Sequence, residues 1–348
     1  MTRVTIRPAR EVDADAVAAF TGDTWGDKYE DYIPQVFGEW VRTDGDDQRT
    51  LVATITREEA DEVAAATTGE VDDATLVEGD GTGAAAAGEP EAVVGCIQGV
   101  LLSEWEAWGQ GIRVNPAVRG VGVGTRLTNA MLAWSRSAGA SVCRNMVFSW
   151  NVAGLGQSRA VGFEPATEFR FARPEPDVDE SAAAGDVSSP VVDDPDPDDV
   201  WGFWQGTDAR DHLRGLALDP DESWACAELS RERLAIAAEE GRLLAVADDG
   251  VAGCAVRTRI DERNADDGVQ RTAVYGVAAW RDVDAAGSLY DAIARDAAVR
   301  DVDATRVLIP ETVDHVSDTA ANRVAVAGEP DFVMSADLAD PAVGTLDE

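Results

Sequence analysis

Alternating apolar and polar positions predict a short strand over residues 4–8, which ends at a proline. The apolar spacing of the next segments predicts helices over residues 13–22 and 32–41. Apolar runs then predict three strands, over residues 51–56, 93–102 and 108–114. The last two of these strands are expected to pair as a hairpin.

Two polar stretches interrupt this pattern. Residues 174–199 contain PEPDVDE and DDPDPDD without a hydrophobic period, which is typical of a solvated linker. Residues 57–91 are dominated by Ala, Gly, Glu and Asp, so we expect an acidic surface insertion that supplies no packed face. The sequence therefore predicts a first domain over residues 1–173 and a second over residues 200–348.

The second domain repeats the order of elements in the first. Two strands within residues 243–260 flank a turn, and a further strand, a helix over residues 284–300 and a strand over residues 306–309 follow. Asn322 is expected to head a weak helical stretch. Three tryptophans are expected to fill the core of this domain, namely Trp201, Trp204 and Trp224. An unrelated α+β domain is the alternative.

Charge sets limits on the partners. The chain has 29 Lys and Arg against 66 Asp and Glu, a formal net charge of −37, and its one lysine is Lys28. A field this negative repels nucleic acids and anionic membranes, which excludes both as partners. A hydrophobic content of 45% excludes a wholly disordered chain. An acidic, lysine-poor surface resembles that of proteins from halophilic archaea, where salt screens the self-repulsion of carboxylates.

Cysteine and histidine are sparse. Four widely spaced cysteines form no CxxC pair, so neither disulfides nor a zinc site are expected: Cys96, Cys143, Cys226 and Cys254. His212 and His315 are too few for a histidine-rich metal site, and each is expected at the surface or at a helix cap. No apolar run of about 18 residues and no signal peptide is recognisable, so the expected location is the cytoplasm.

A glycine-rich loop stands between the strand over residues 108–114 and a predicted helix. Its sequence is Arg119-Gly-Val-Gly-Val-Gly124. The apolar positions that follow share one helix face, and they are Leu127, Ala130, Met131, Trp134 and Ala138. Glycines let backbone N–H groups close around phosphate oxygens, and the helix dipole adds partial positive charge. The arrangement predicts an anion-binding loop.

Two other classes of glycine loop are excluded by spacing. A P-loop needs Gly-Lys-Ser/Thr, whereas Thr125 and Arg126 follow Gly124. The dinucleotide fingerprint needs a third glycine three residues after Gly122, where Thr125 stands. The pattern left is Arg-x-x-Gly-x-Gly, preceded by a Val-x-Pro element at residues 114–116.

This pattern resembles the acyl-CoA-binding motif of the GCN5-related N-acetyltransferase (GNAT) superfamily. A second motif of that family also fits, because Asn151 follows a predicted strand and Gly162-Phe163 stand eleven and twelve residues later. The resemblance covers most of residues 2–173. It implies an α/β (α+β) fold, the acyl-CoA N-acyltransferase fold, in which helices flank a central mixed but mostly antiparallel sheet. Here that fold is expected in duplicate.

The resemblance also implies acetyl-CoA as co-substrate, no metal, and direct attack of an amine on the thioester. Ile112 and Val114 would offer backbone groups to the pantetheine arm, and the glycine loop would hold the pyrophosphate. The cofactor-binding residues predicted in this way are Ile112, Val114, Arg119, Gly120, Val121, Gly122, Val123, Gly124, Thr125 and Asn151. In the second domain, residues 280–287 carry two aspartates where phosphate would lie, so that copy is expected to bind no CoA.

The catalytic positions match the family less well. The family commonly has a tyrosine seven residues after the Asn, where this chain has Ser158, a shorter and weaker acid. Glu106 is the predicted base, while Glu104 and Gln110 lie on the same strand segment and Arg159 is an alternative for stabilising the thiolate. Several aromatic residues would flank an acceptor pocket or equally pack in the core: Trp25, Tyr29, Tyr32, Trp105 and Trp108.

The sequence therefore predicts an acyl-CoA-dependent N-acyltransferase that acts on a small-molecule or protein amine. O-acylation or a longer acyl chain stays open at the level of the enzyme. A non-catalytic CoA-binding sensor or interaction module is the competing class.

Overall fold

The computed structural model describes residues 4–22, 24, 31–66, 71–177, 190–265 and 268–345. The described residues form two compact units, and the chain passes from the first to the second at Pro165 and returns at Ser335. A short segment, residues 146–152, also belongs to the second unit. The domain boundary predicted at residues 174–199 stays a prediction, and residues 178–189 of it lie outside the described residues.

The first unit is built on a mostly antiparallel sheet. Its strands are β1 (Thr5–Pro8), β2 (Gln48–Thr56), β3 (Leu76–Glu78), β4 (Pro90–Leu101), β5 (Glu106–Val114) and β6 (Val142–Phe148), the last of which ends in the second unit. They lie in the order β1-β2-β4-β5-β6, with β3 paired to β4. Every neighbouring pair is antiparallel except β5 and β6, and the predicted hairpin of β4 and β5 is confirmed.

Helices cover both faces of this sheet. They are α1 (Ala14–Thr21), α2 (Ile33–Thr43), α3 (Arg57–Ala66), α4 (Val123–Ser137) and α5 (Val152–Ala160). Val17 of α1 and Phe37 of α2 share a buried cluster with Cys96 of β4. Gly95, the residue before Cys96 in β4, lies on the opposite face of the sheet and faces α4. A Cβ at Gly95 would lie 2.8 Å from Leu127 Cδ1. Glycine in this strand therefore lets α4 pack closely against the opposite face.

The prediction that residues 57–91 supply no packed face is wrong. The segment contains α3 and β3, and its residues Ala60 and Thr75 are buried. Glu91 is buried at its end and accepts a hydrogen bond from Arg7 Nε at 3.0 Å. A buried ion pair and small side chains thus attach this segment to the sheet, which its acidic composition does not indicate.

The second unit holds most of the remaining elements. Its strands are β7 (Glu164–Arg173), β8 (Leu216–Leu218), β9 (Cys226–Glu228), β10 (Leu243–Ala247), β11 (Val251–Ala265), β12 (Gly268–Trp280), β13 (Ala304–Pro310), β14 (Ala325–Val326) and β15 (Asp331–Asp337), of which β7 and β15 each have one end in the first unit. Its helices are α6 (Pro197–Gln205), α7 (Asp208–Leu213), α8 (Arg231–Glu239), α9 (Val283–Val299) and α10 (Val313–Ala321). Strands follow the order β7-β13-β12-β11-β10, with β12 and β13 parallel.

The order of elements in β11, β12, α9, β13 and α10 repeats that of β4, β5, α4, β6 and α5. The tandem arrangement itself stays a prediction. One predicted element is wrong, because Asn322 ends α10 instead of heading a helix. Its side-chain amide donates to Asp318 O at 2.9 Å, whereas Thr312 caps the start of α10. Trp204 is buried as predicted, but Trp201 and Trp224 are only partly buried.

The four cysteines are buried free thiols in β4, β6, β9 and β11. Burial raises the pKa of Cys96, Cys143 and Cys254 to about 12, so these thiols stay protonated at neutral pH. His315 lies in the first turn of α10 as predicted for a cap, but it is buried. In the described ranges there is no group of three or more metal-ligating side chains, and no helix there is long and apolar enough to cross a membrane.

Candidate functional site

The glycine loop has a backbone that glycine adopts far more readily than other residues. Gly120 and Gly122 have φ angles of +81° and +87°, in the left-handed region. A Cβ at either position would meet no atom within 4 Å, so the space beside both glycines is open. The requirement for glycine here is therefore conformational, and the loop is accessible to a ligand.

α4 begins in this loop without a side-chain cap. Gly122 is the N-cap residue, and it has no side chain that could accept a hydrogen bond from the first N–H groups of the helix. The first hydrogen bond within the helix runs from the N–H of Arg126 to Gly122 O at 3.1 Å. The N–H groups that precede Arg126 in the first turn therefore have no acceptor within the helix. Such groups, together with the positive end of the helix dipole, bind anions.

α9 follows β12 as α4 follows β5, but its start is closed. Asp282 is the N-cap residue, and its Oδ1 accepts a hydrogen bond from the Ala285 N–H at 2.9 Å. This backbone hydrogen bond lowers the pKa of Asp282, so the group is a carboxylate at neutral pH. An anion from the chain itself therefore already caps α9.

β5 leads into the glycine loop along an open edge. It pairs with β6 from Glu106 to Trp108, and the described residues provide no strand partner beyond that point on this edge. A β-bulge follows, because the register with β4 shifts by one residue around Gly111, whose φ is +64°. The predicted residue Ile112 lies in the bulge and Val114 lies just beyond it, both on the part of β5 that is not paired with β6. The sequence signal for the bulge was the pair of glycines around Gln110 within an apolar strand.

Ile112, Val114 and Gln157 surround Gly124 at the start of α4. A Cβ at Gly124 would lie 3.6 Å from both Val114 Cγ2 and Gln157 Cγ, and 3.9 Å from Ile112 Cδ1. The amide of Gln157 donates to Gly124 O at 3.3 Å and to Thr128 Oγ1 at 2.7 Å. The structure thus brings three predicted residues together and adds Gln157, which carries no recognisable signal in the sequence.

Two exposed arginines next to the loop, Arg119 and Arg126, have no acidic partner among the described residues. The surrounding sequence explains this, since residues 107–163 contain six arginines and no aspartate or glutamate in a chain with 66 acidic residues. This segment runs from β5 through α4 to the end of α5. The local charge of this segment therefore favours an anionic ligand, a signal that the net charge of the chain conceals.

Glu106 lies at the other end of β5 from the loop. Its buried carboxylate accepts hydrogen bonds from Arg144 Nη1 at 2.6 Å and from Ser103 Oγ at 3.1 Å. Eight residues separate it from Val114, roughly 26 Å along an extended strand. Glu106 thus belongs to a buried ion pair that is remote from the glycine loop. Its role as a base stays a prediction.

Ser158 lies buried on α5 beside Asn145 of β6. The Asn145 amide donates to Ser158 Oγ at 3.1 Å. Because that oxygen accepts, the hydroxyl hydrogen remains available to a further acceptor. Asn145 Oδ1 is buried without a hydrogen-bond partner. One donor and one acceptor of this pair would therefore be satisfied by a polar group of a ligand.

The other predicted residues lie elsewhere. Asn151 precedes α5 and donates its N–H to Phe148 O at 2.8 Å, within the segment of the second unit. Trp108 is buried in β5, whereas Trp105 in the hairpin turn is 48% exposed. Tyr32 lies at the start of α2, and its ring packs edge to face with that of Trp40 in the same helix. Trp25 and Tyr29 lie outside the described residues.

The glycine loop, the uncapped helix and the open edge of β5 all fall within one segment that comparison with protein families identifies. Residues 21–156 match the model of the acetyltransferase (GNAT) family. The chain adopts the acyl-CoA N-acyltransferase fold of GNAT proteins, as predicted.

Solved GNAT structures are similar over nearly the whole chain. The GCN5-related N-acetyltransferase from Sphaerobacter thermophilus is 12% identical with a TM-score of 0.53, over 96% of both chains. The glucosamine N-acetyltransferase region of a fungal multi-domain β-N-acetylglucosaminidase is 13% identical with a TM-score of 0.54, over 96% of this chain and 38% of that chain. At these identities the likeness shows the fold alone. No curated protein matches the sequence.

Proposed function

We propose that the protein is an acyl-CoA-dependent N-acyltransferase that transfers acetyl from acetyl-CoA to an amine. The observation that carries the proposal is the open loop of Gly120 and Gly122, which leads into the uncapped start of α4. Backbone N–H groups in this arrangement suit the pyrophosphate of CoA and need no lysine. The match of residues 21–156 to the GNAT family supports the same assignment.

The residues around the loop suit the rest of the CoA molecule. Ile112 and Val114 lie on the open edge of β5, where their backbone groups would bind the amides of the pantetheine arm. Arg119 and Arg126 would form charge-assisted hydrogen bonds with phosphate oxygens. The unsatisfied oxygen of Asn145 and the hydroxyl of Ser158 add polar groups for the thioester end.

The transfer forms a C–N bond between the amine and the acetyl carbon and breaks the C–S bond of the thioester. The acceptor ammonium must first lose a proton to a base, and the nitrogen loses a second proton as the amide forms, which the departing thiolate gains. We assign the relay of this second proton to Ser158, which would donate its hydroxyl hydrogen to the thiolate and regain a proton from the nitrogen, while its oxygen accepts from Asn145. We assign the role of base to Glu106 from the sequence alone.

A CoA-binding module without turnover is the second candidate. It is favoured by the serine in place of the family's tyrosine and by the ion pair that holds Glu106 to Arg144. Release of free thiol from acetyl-CoA separates the two candidates, with polyamines, aminoglycosides, lysine peptides and free peptide N-termini as acceptors. Binding with thiol release indicates a transferase, and binding without release indicates the module.

We expect Gly122→Glu to weaken CoA binding at least 100-fold while the fold is retained, because a carboxylate in the loop would repel phosphate. Calorimetric titration with acetyl-CoA and with CoA in molar KCl measures the affinity. Gly88→Glu is the matched control, since Gly88 has a φ of +83° and equally open surroundings in another turn. Unchanged affinity in Gly122→Glu, or an equal loss in both variants, would contradict the phosphate loop.

We further propose that residues 1–173 hold the CoA site and that residues 200–348 are a degenerate GNAT-like domain. The carboxylate of Asp282 takes the place of a phosphate at α9. Asn322 Oδ1 also lies 2.5 Å from the position of a Cβ at Gly287, so the region beside that glycine is filled. The same titration is therefore expected to give one CoA per chain.

A further inference from the structure

Arg306 of β13 lies on an aromatic surface in the second unit. Its Cζ is 4.6 Å from the ring centroid of Trp224 and 5.3 Å from that of Phe171. The two rings meet edge to face with centroids 5.9 Å apart. A guanidinium that lies over aromatic faces keeps its N–H donors in its own plane, where an acceptor can reach them. Among the described residues, Arg306 has no hydrogen-bond or ion-pair partner.

Three arginines stand in one row across four strands. Arg259 of β11 and Arg306 of β13 are both paired with Val274 of β12. The antiparallel register of β13 with β7 extends this row to Arg173. Residues that are directly paired across strands share a face of the sheet. The register alone therefore gathers these guanidinium groups on one surface.

Carboxylates neutralise only part of this row. Arg259 pairs with Asp261 at 2.8 Å, whereas Arg173 and Arg306 have no acidic partner within ion-pair distance in the described ranges. Arg263, which lies four residues beyond Arg259 on the same face of β11, has none there either. Burial lowers the pKa of Arg306 to about 10, the charges of Arg263, Arg173 and Arg259 lower it further, and the charge of Asp261 opposes them. The chain has 66 acidic and only 29 basic residues, so a surface on which arginines outnumber their acidic partners is unusual for this protein. Like charges on neighbouring strands repel one another, and a bound anion removes this repulsion.

The carboxyl group of Asp331 does not serve as the counter-ion of these arginines. Asp331 is close enough for Arg306 to affect its pKa, yet the two form no ion pair in the described part of the chain. Burial raises the pKa of Asp331 to about 7, so near neutral pH this group is partly protonated. It is therefore a weak counter-ion for the arginines.

The loop that carries Trp224 is held in an unfavourable conformation. Trp224 has a φ of +67°, which a bulky residue rarely adopts. The loop joins β8 to β9 and is closed by the Asp219 N–H, which donates to Ala225 O at 2.8 Å. Asp219 in turn pairs with Arg233 at 3.0 Å. Strain of this kind persists where the surroundings enforce it, and such positions are concentrated at ligand sites.

From this geometry we propose an oxyanion-binding site on the second unit, in which Arg306, Arg173 and Arg263 bind the carboxylate or phosphate group of a small molecule beside Trp224. Guanidinium groups bind both kinds of oxyanion through paired N–H donors. The site goes beyond the proposed function, because the glycine loop belongs to the first unit and the arginine row to the second.

Calorimetric titration of the full chain with inorganic phosphate, pyrophosphate and citrate tests the proposal and distinguishes the two ligand chemistries. The titrations use the Gly122→Glu background, so that anions bound at the glycine loop do not contribute. We expect one site per chain for at least one probe and a loss of at least tenfold in affinity in Arg306→Gln. Arg231→Gln is the matched control, because it removes the same charge from an exposed arginine that pairs with Asp198 at 2.6 Å.

Three outcomes would overturn the proposal: no probe binds, affinity is unchanged in Arg306→Gln, or Arg231→Gln causes the same loss. Circular dichroism checks that Arg306→Gln is folded, since this arginine packs on two rings. If it is not, the double variant Arg173→Gln, Arg263→Gln decides, because both side chains are exposed. The same tenfold loss is expected there, and unchanged affinity would again overturn the site.

Discussion

The hydrogen bond between Asn145 and Ser158 decides which atoms of the two side chains are left for the transfer proposed above. The amide donates to the serine oxygen, and this leaves the hydroxyl hydrogen as the remaining donor of a side chain that is 2% exposed. Serine is a weaker acid than the tyrosine of the related family, so its contribution depends on being held in place. The orphaned oxygen of Asn145 marks the same spot as incomplete without a ligand.

We expect Ser158→Ala to lower kcat by about tenfold or more and to leave the affinity for acetyl-CoA unchanged, because the hydroxyl acts only as the thiolate forms. Steady-state kinetics and calorimetry measure the two quantities. Ser137→Ala, which removes an exposed hydroxyl at the end of α4, is the control. Unaltered kcat in Ser158→Ala would remove Ser158 from the mechanism.

The proposed base is tested in the same way. An unaltered rate in Glu106→Gln would remove Glu106 as the base.

At the scale of elements, α4 begins in the glycine loop and is anchored at its other end by the C-terminal segment. Arg136, in its last turn, donates to the backbone oxygens of Leu338 at 2.7 Å and Asp340 at 2.9 Å, and also to Val343 O. One guanidinium thus binds three carbonyl groups of a segment that follows β15. From Ser335 onward the chain belongs again to the first unit.

We expect Arg136→Gln to lower the free energy of unfolding by about 2–3 kcal/mol, because glutamine cannot replace charge-assisted hydrogen bonds to three carbonyl groups. Equilibrium unfolding in urea measures this quantity. Arg42→Gln is the control, since Arg42 donates to a single backbone oxygen of the described residues, Gly38 O at 3.0 Å, on an exposed helix surface. Its effect should stay within about 0.5 kcal/mol. Equal stability of the two variants would show that the anchor contributes nothing.

At the scale of the whole molecule, the net charge of −37 opposes both folding and the binding of anionic ligands. Carboxylates repel one another across the surface, and together they repel an anionic ligand such as CoA. Residues 107–163 contain no acidic side chains, and although acids outside the segment pair with Arg113 and Arg144, Arg119 and Arg126 beside the glycine loop have no acidic partner among the described residues. Salt weakens the general repulsion at long range, and backbone N–H groups still bind phosphate at short range.

We expect the midpoint of thermal unfolding to rise as KCl increases from about 0.1 M to about 2 M, because the Debye length falls from ~10 Å at 0.1 M to ~3 Å at 1 M. Differential scanning calorimetry measures the midpoint, and sucrose at equal osmolality controls for exclusion of solutes from the surface. A midpoint that stays constant or falls would show that carboxylate repulsion does not limit stability.

Local signals in the sequence account for the elements that were predicted correctly. The hairpin of β4 and β5, the glycine loop and α4 each depend on residues a few positions apart, so spacing alone identifies them. Composition was a poor guide for residues 57–91, because it cannot show that Glu91 pairs with Arg7, a residue far away in sequence. The helix expected after Asn322 failed for a similar reason, since the side chain of Asn322 bonds back to α10.

The sequence by itself determined the fold class, through the motifs that resemble those of GNAT proteins, and the position of the glycine loop before α4, through glycines at short, fixed spacings. The tertiary structure decided the rest of the site: that Gln157 joins the loop, that Asn145 meets Ser158 and that β5 leaves β6 after Trp108. It also decided that arginines of three strands share one surface beside Trp224. These contacts join residues that are distant along the chain, and they exist only once the strands have paired in one register.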